Sequence, residues 1–223
     1  MSDDTRRIEA IEVVGDRTDD LGPDEGFLRY RRLTVRNRYA DGSTSESYPC
    51  DVVSRLRVDA VAVVLYDIDA AGTVRVALKE GVRPPVYLRR EKDIPHGDTG
   101  EHLLVAEIPA GMLEPEDDGP DGIEKRAALE CMEEAGADVA PSDVAPLGAP
   151  MFASPGMADE MVHYRVARTD LDALVKPTGD GSVMEEAGGV IILPLDEAIA
   201  RCRDGRIPDA KTELALVRLR DSL

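Results

Sequence analysis

Polar positions dominate residues 1–26, where Asp19-Asp20 and Gly22-Pro23-Asp24 read as a flexible N-terminal arm. The pattern changes at Phe27. Residues 27–39 mix apolar and basic side chains and alternate around Leu33 and Val35, the period of a strand. Asp41-Gly42-Ser43 supplies a turn and residues 47–53 a second strand, so a hairpin or small sheet is expected here. Residues 58–66 form a nearly unbroken apolar run rich in β-branched side chains, which suits a strand covered on both faces. Further strands are expected at 73–78, 86–88 and 103–108, with a polar loop at 91–101.

The clearest helix spans 122–135. Asp121 stands at its N-cap with Glu124 three residues later, the spacing of a capping box, and Gly136 follows its last turn. Strands are expected at 147–152, 161–167 and 190–193. Two helices, 195–204 and 210–219, follow on either side of Gly205, Ile207 and Pro208. Strands in the middle with helices inserted and appended imply an α/β fold, a mixed sheet with helices on its faces. The chain divides into the arm at 1–26, an N-terminal β region at 27–56 and a main domain at 57–223.

Composition narrows the partners. The 223 residues carry a formal charge of −18, which repels nucleic acid and anionic membrane surfaces, so neither is an expected partner. A phosphorylated small molecule bridged by a divalent cation remains compatible with that field. With 2 Phe, 6 Tyr and no Trp, the core must come from aliphatic side chains. Cys50, Cys131 and Cys202 are odd in number and widely spaced, which suggests neither a disulfide framework nor a zinc site. His96, His102 and His163 show no ligand spacing. No apolar signal region or membrane-length run is present, so a cytoplasmic location is expected.

The chemistry concentrates on the helix at 122–135. Glu130, Glu133 and Glu134 stand at i, i+3 and i+4 and share one face, where like charges destabilise a helix unless something positive lies between them. Converging carboxylates are hard ligands suited to Mg²⁺ or Mn²⁺. The plain alternative is a solvated acidic face.

The flanking residues favour the metal. Gly111, preceded by Glu107-Ile-Pro-Ala110, and then Glu130, Cys131, Glu133, Glu134 and Gly136 resemble the box of the Nudix hydrolases, and the lead-in resembles their ADP-ribose pyrophosphatase branch. Ser154-Pro155-Gly156 and the run from Leu193 to Thr212 are similar to later features of that branch. The resemblance implies a Nudix-type α/β/α sandwich with a mixed sheet and a small N-terminal β hairpin or sheet. It implies a metal-dependent hydrolase that cuts ADP-ribose to AMP and ribose 5-phosphate, working as a homodimer. It assigns metal binding to the Ala110 carbonyl, Glu130, Glu134 and Glu186. Glu133, Glu185 and Glu186 are the catalytic candidates, with Glu185 or Glu186 as the base on the loop at 179–189. Arg83, Ser154 and Gly156 are substrate-binding candidates. A GDP- or UDP-sugar is the alternative substrate.

Two positions depart from the pattern. Leu129 stands where the box has an arginine that braces the glutamates, which leaves open a catalytically weak nucleotide-binding sensor. The loop after Gly111 is four residues longer, so Asp121 falls on the first box glutamate and reads here as the helix cap. Arg126, one turn before Glu130, is the candidate to replace the missing arginine.

Overall fold

The structure is a computed structural model that describes residues 8–21, 26–98, 100, 102–179, 181 and 188–223. It forms two compact units, Met1–Val58 with Phe152–Glu160, and Asp59–Met151 with Met161–Leu223.

The first unit is an antiparallel sheet in the order β1 (Ile8–Asp16), β2 (Arg29–Tyr39), β3 (Tyr48–Ser54). The hairpin of β2 and β3 follows the alternation, with Leu33 and Val35 buried beneath a largely basic strand. Residues 8–16 correct the reading of an irregular arm: they form β1 and pair with β2 from Leu33 to Tyr39. Charge explains part of that pairing, because Arg36 Nε donates to Glu12 Oε2 at 2.8 Å. The segment from 152 to 160 lies along β3. The Val53 N–H donates to the Met157 carbonyl at 2.9 Å, Ser54 Oγ donates to Asp159 at 2.9 Å, and Arg55 pairs with Glu160.

The second unit is built on β4 (Ala60–Ile68), which runs parallel to β10 (Met161–Arg168) and antiparallel to β5 (Val74–Val82) and β7 (Ala110–Met112). The sheet order is β11–β5–β4–β10–β8, with β6 (Leu104–Glu107) on β5, β8 at Val144–Pro146 and β11 at Val190–Pro194. A short strand, β9 (Met151–Phe152), precedes β10. Successive β4 side chains point to opposite faces. Val61, Val63 and Leu65 pack with Ala127, Cys131 and Ala135 of α2 (Gly122–Ala135). Ala62 and Val64 pack with residues of α3 (Leu195–Arg203) and α4 (Ala210–Ser222), among them Ile199, Leu216 and Leu219. The apolar run is thus covered on both sides, and the unit is an α/β/α sandwich with a mixed sheet.

Two expected strands differ. Residues 86–88 do not form one; Pro84 and Pro85 open a single helical turn, α1 (Pro84–Tyr87), because their fixed φ suits the start of a helix. Of the strand expected at 147–152 only β9 forms, since Gly148 turns the chain at φ +81° and Pro150 lacks the N–H a ladder needs; β8 lies just before that range. Among the described residues no helix is long and apolar enough to cross a membrane.

The fold makes a fork that positions the site. β4 pairs with β7 at its start and with β5 at its end, while the far half of β5 pairs with β6. The crossing from β6 to β7 is pinned at two points. The Val63 N–H donates to the Pro109 carbonyl at 2.9 Å, and the Ile108 N–H donates to Thr212 Oγ1 at 2.9 Å. Ala110 and Gly111 follow directly and meet the second half of α2.

Candidate active site

α2 has an inverted surface pattern. Leu129 is 43% exposed, whereas Glu130 and Glu134 are each only 8% exposed, beside core residues such as Cys131. Buried carboxylates are costly unless paired or coordinated, so a solvated acidic face does not describe this helix. The reason for the burial is Gly111. A Cβ there would lie 1.8 Å from Glu130 Oε1, so only glycine lets the Glu130 carboxylate reach the β7 backbone. One turn later, Glu134 Oε2 accepts the Ala110 N–H at 2.8 Å, and its Oε1 accepts from Lys79 Nζ at 2.8 Å. The Lys79 and Glu134 side chains are 12% and 10% exposed. Two of the glutamates therefore converge on two consecutive backbone units of β7.

Glu133 and Glu134 also border a cavity of about 530 Å³, whose wall includes Lys79, Glu80, Lys176 and Gly179. That volume suits a small-molecule ligand. Gly136 ties the cavity to the helix. It ends α2 in the left-handed conformation, φ +67°, and a Cβ there would lie 1.9 Å from the Val175 carbonyl oxygen. The Val175 N–H donates to the Gly136 carbonyl at 3.0 Å, and the Gly179 N–H donates to the Glu133 carbonyl at 2.9 Å. The helix terminus is thus also the floor on which the segment from 175 to 179 rests.

A second polar network stands behind β6. Arg83 forks onto Glu107, with Nη2 to Oε2 at 2.7 Å, and Lys211 Nζ lies 3.7 Å from the same carboxylate. Asp209 accepts from Lys211 Nζ at 2.9 Å, from the Thr212 N–H at 2.9 Å and from Thr212 Oγ1 at 2.6 Å. The hydrogen bond to Glu107 raises the Arg83 pKa despite partial burial, and the charges of Glu107, Glu134 and Asp209 add to it. Burial opposes ionisation of both Asp209 and Lys211. For Asp209 the Lys211 charge and the Thr212 hydrogen bonds prevail and lower its pKa; for Lys211 the Asp209 and Glu107 charges prevail and raise it. Arg83 therefore arrives prepaired with Glu107, near the carboxylate helix.

The other expected residues are distributed across the two units. Ala110 is at the site, with its N–H on Glu134. Ser154 and Gly156 belong to the first unit, where the Ser154 carbonyl accepts from the Met157 and Ala158 N–H groups. Glu185 and Glu186 lie outside the described residues, although Gly179, Gly181, Gly188 and Gly189 on either side of them line the cavity. Asp121 corrects the capping expectation. It occupies the N-cap position but makes no side-chain cap, because its carboxylate pairs with Lys125 at 3.0 Å, while Glu124 is drawn to Arg165 at 2.9 Å. Arg126 donates to Asp117 Oδ2 at 2.8 Å, and Asp117 also accepts the Glu114 N–H at 2.8 Å, so this arginine ties down the lengthened loop. Burial works against its charge, yet the hydrogen bond to Asp117 and the charges of Asp117, Glu130 and Glu114 outweigh it and raise its pKa. Sequence reasoning missed Lys79. The available signal was a lysine two positions from Ala77, on the strand face that packs against α2.

Among the described residues no group of three or more His, Cys, Asp and Glu side chains is already assembled as a cation site. The donors present nevertheless fit a hard divalent cation in kind, since the Gly111 cradle brings Glu130 and Glu134 carboxylates to one stretch of backbone.

The second unit is thus an α/β/α sandwich with a mixed sheet, whose glutamate-bearing helix closes on a glycine strand beside a polar cavity. No family model matches the chain. It is 32% identical over 160 residues to the GDP-mannose pyrophosphatase of Pectobacterium atrosepticum, covering 72% of each chain. It is 32% identical to the same enzyme of Yersinia pestis (strain Pestoides F), covering 72% of this chain and 70% of that one. It is 36% identical to that of Yersinia enterocolitica over 113 residues, 51% of this chain and 54% of that protein. The chain thus spans about half the length of the last relative and about seven tenths of the other two. A crystal structure described as an ADP compounds hydrolase superposes with a TM-score of 0.57 at 15% identity, covering 98% of this chain and 94% of that one. The chain belongs to the Nudix hydrolase superfamily.

Proposed function

We propose that this protein is a divalent-metal-dependent hydrolase of nucleoside diphosphate sugars, with GDP-mannose as the first substrate and ADP-ribose as the second. The observation that carries this reading is the approach of Glu130 to Gly111 and of Glu134 to the Ala110 N–H at the edge of the cavity. GDP-mannose takes first place because relatives at 32% and 36% identity act on it by name. ADP-ribose follows from the Glu107–Gly111 lead-in and the Ser154-Pro155-Gly156 motif.

Glu130, Glu134 and the Ala110 carbonyl would hold Mg²⁺ or Mn²⁺, with Glu133 supporting them and Glu186 as a further ligand. The ion, when bound, offsets charge on the diphosphate and lowers the pKa of the attacking water. Gly111 and the Ala110 N–H fix the glutamates before substrate arrives, so little reorganisation is needed. Water attacks one phosphorus, the bond to the bridging oxygen breaks, and the products are a nucleoside monophosphate and a sugar phosphate. Glu185 or Glu186 takes the water's proton; the residues that flank them border the cavity, which supports this assignment. Arg83 offers the diphosphate a planar fork, in competition with Glu107. A homodimer belongs to the same reading, and light scattering would check it.

The test is monophosphate release from GDP-mannose and ADP-ribose, coupled to a phosphatase, with Mg²⁺, with Mn²⁺ and with chelator. Metal-dependent turnover that falls by about a hundredfold or more in Glu134→Gln is expected. Nucleotide binding without turnover of either substrate, or of a UDP-sugar, would favour the sensor suggested by Leu129.

A further inference from the structure

Lys79 takes no part in the hydrolytic steps proposed for the glutamates. It lies on β5, two residues from Ala77, on the face that packs against α2, and places an ammonium 2.8 Å from Glu134 Oε1. The other oxygen of that carboxylate accepts the Ala110 N–H. A cation that binds Glu134 through Oε1 must share that oxygen with Lys79 or displace it, and two cations on one oxygen repel strongly where water is scarce. The lysine stem is flexible enough to move its charge without moving the strand. Lys79 also lines the cavity, and so does Lys176, on the segment held to α2 through Gly136 and Glu133. In a cavity that also carries Glu80, Glu133 and Glu134, these two ammonium groups are suited to meet an anion.

We propose that Lys79 is a substrate-binding residue held on Glu134 until metal arrives. A divalent cation takes its place at Oε1, and the released ammonium, together with Lys176, binds phosphate oxygens of the substrate. This rests on the reading of the site as a metal-dependent diphosphate hydrolase. It makes metal and substrate mutually supportive, since each relieves a charge that the other leaves behind.

The two halves of the proposal are measured separately. Titration of the metal-free protein with Mn²⁺ alone, followed by calorimetry or electron paramagnetic resonance, reads the competition. Lys79→Met should bind Mn²⁺ about three to ten times more tightly than wild type, because a competing cation is gone. With saturating Mn²⁺, its KM for GDP-mannose or ADP-ribose, whichever wild type hydrolyses, should rise about tenfold, more than kcat falls, the equivalent of one charge-assisted hydrogen bond. Lys79→Arg should restore both values, and Lys176→Met should raise KM without tightening Mn²⁺. Should Lys79→Met not fold, Lys79→Gln carries the same two readouts. Equal or weaker Mn²⁺ binding in the neutral variant would show that Lys79 braces Glu134 instead of competing for it, and would overturn the proposal. An unchanged KM would overturn it as well. A wild-type protein that binds no Mn²⁺ would remove the metal reading itself and this proposal with it, whereas wild-type turnover with an unmoved Mn²⁺ affinity would remove only the role of Lys79.

Discussion

Gly111 and Glu130 leave no room between them for a methyl group. A side-chain carbon at position 111 would sit 1.8 Å from Glu130 Oε1, which makes Gly111→Ala a sharp probe. The substitution must push Glu130 off the β7 backbone. Overpacking of this kind costs about 1–3 kcal/mol, which thermal unfolding would register, and hydrolysis should fall further than that loss explains. Full activity in a destabilised Gly111→Ala protein would detach the glutamate from its assigned role. Cys131 lies on the same helix, between the two buried glutamates. Burial pushes its thiol up to about 12, with the Glu130 and Glu134 charges adding to the effect. Reactivity follows the thiolate. Native protein at pH 8 should therefore leave Cys131 unmodified by a thiol reagent, while the partly exposed Cys50 reacts first. Prompt labelling of Cys131, read by peptide mass mapping, would mean that α2 opens readily.

At the scale of elements, the end of α2 and the start of α4 are held in different ways, and each can be tested. Gly136→Ala places a side chain in a left-handed conformation and against the Val175 carbonyl oxygen. A cost of about 1–2 kcal/mol from the conformation alone is expected, together with reduced turnover, because the segment lining the cavity rests there. α4 begins with Asp209, whose carboxylate caps Thr212 and pairs with Lys211. Its pKa is lowered in the folded protein, so its contribution to stability is complete above the unfolded value near 4 and is lost as pH falls through the folded value. Asp209→Ala should lose about 1 kcal/mol at pH 7, and the difference from wild type should shrink below about pH 4. A difference that stays constant with pH would argue that the cap acts through shape alone.

The elements also show what the amino-acid pattern could reveal. α2 is legible to the residue, because periodicity and Gly136 agree with its packing, and the glutamate spacing is what motivates the metal role proposed for it. β4 is legible from its unbroken apolar run. β1 is not, since its partner strand and the Glu12–Arg36 contact are nonlocal. α1 reads as a strand from its apolar-leaning residues, but the two prolines before them start a helical turn and carry more weight. Asp121 has the right position for a cap, but Lys125 one turn later competes for its carboxylate. Lys79 escapes notice because an isolated lysine in a strand usually marks the solvent side; only the fold shows that this one points toward α2.

For the molecule as a whole, a charge of −18 is a self-repelling field over a chain with 45 acidic residues. Screening relieves it, with a Debye length near 30 Å at about 0.01 M salt and about 8 Å at 0.15 M. The melting temperature should therefore rise between those two sodium chloride concentrations, and a fall would show that the ion pairs outweigh the net repulsion. Binding of a nucleotide should depend on the divalent ion more strongly than on monovalent salt, because only the former bridges like charges at the cavity.

The Ile108 N–H finds its hydrogen-bond acceptor in a hydroxyl 104 positions further along the chain, on Thr212. During synthesis the strand that carries Gly111 emerges well before the residue that anchors it. At about 5–20 residues per second, that interval is roughly 5–20 s. A nascent chain with the whole glutamate helix already outside the ribosome still lacks the clasp that pins the entry to β7, so on the proposed reading the site is completed only once α4 has been made.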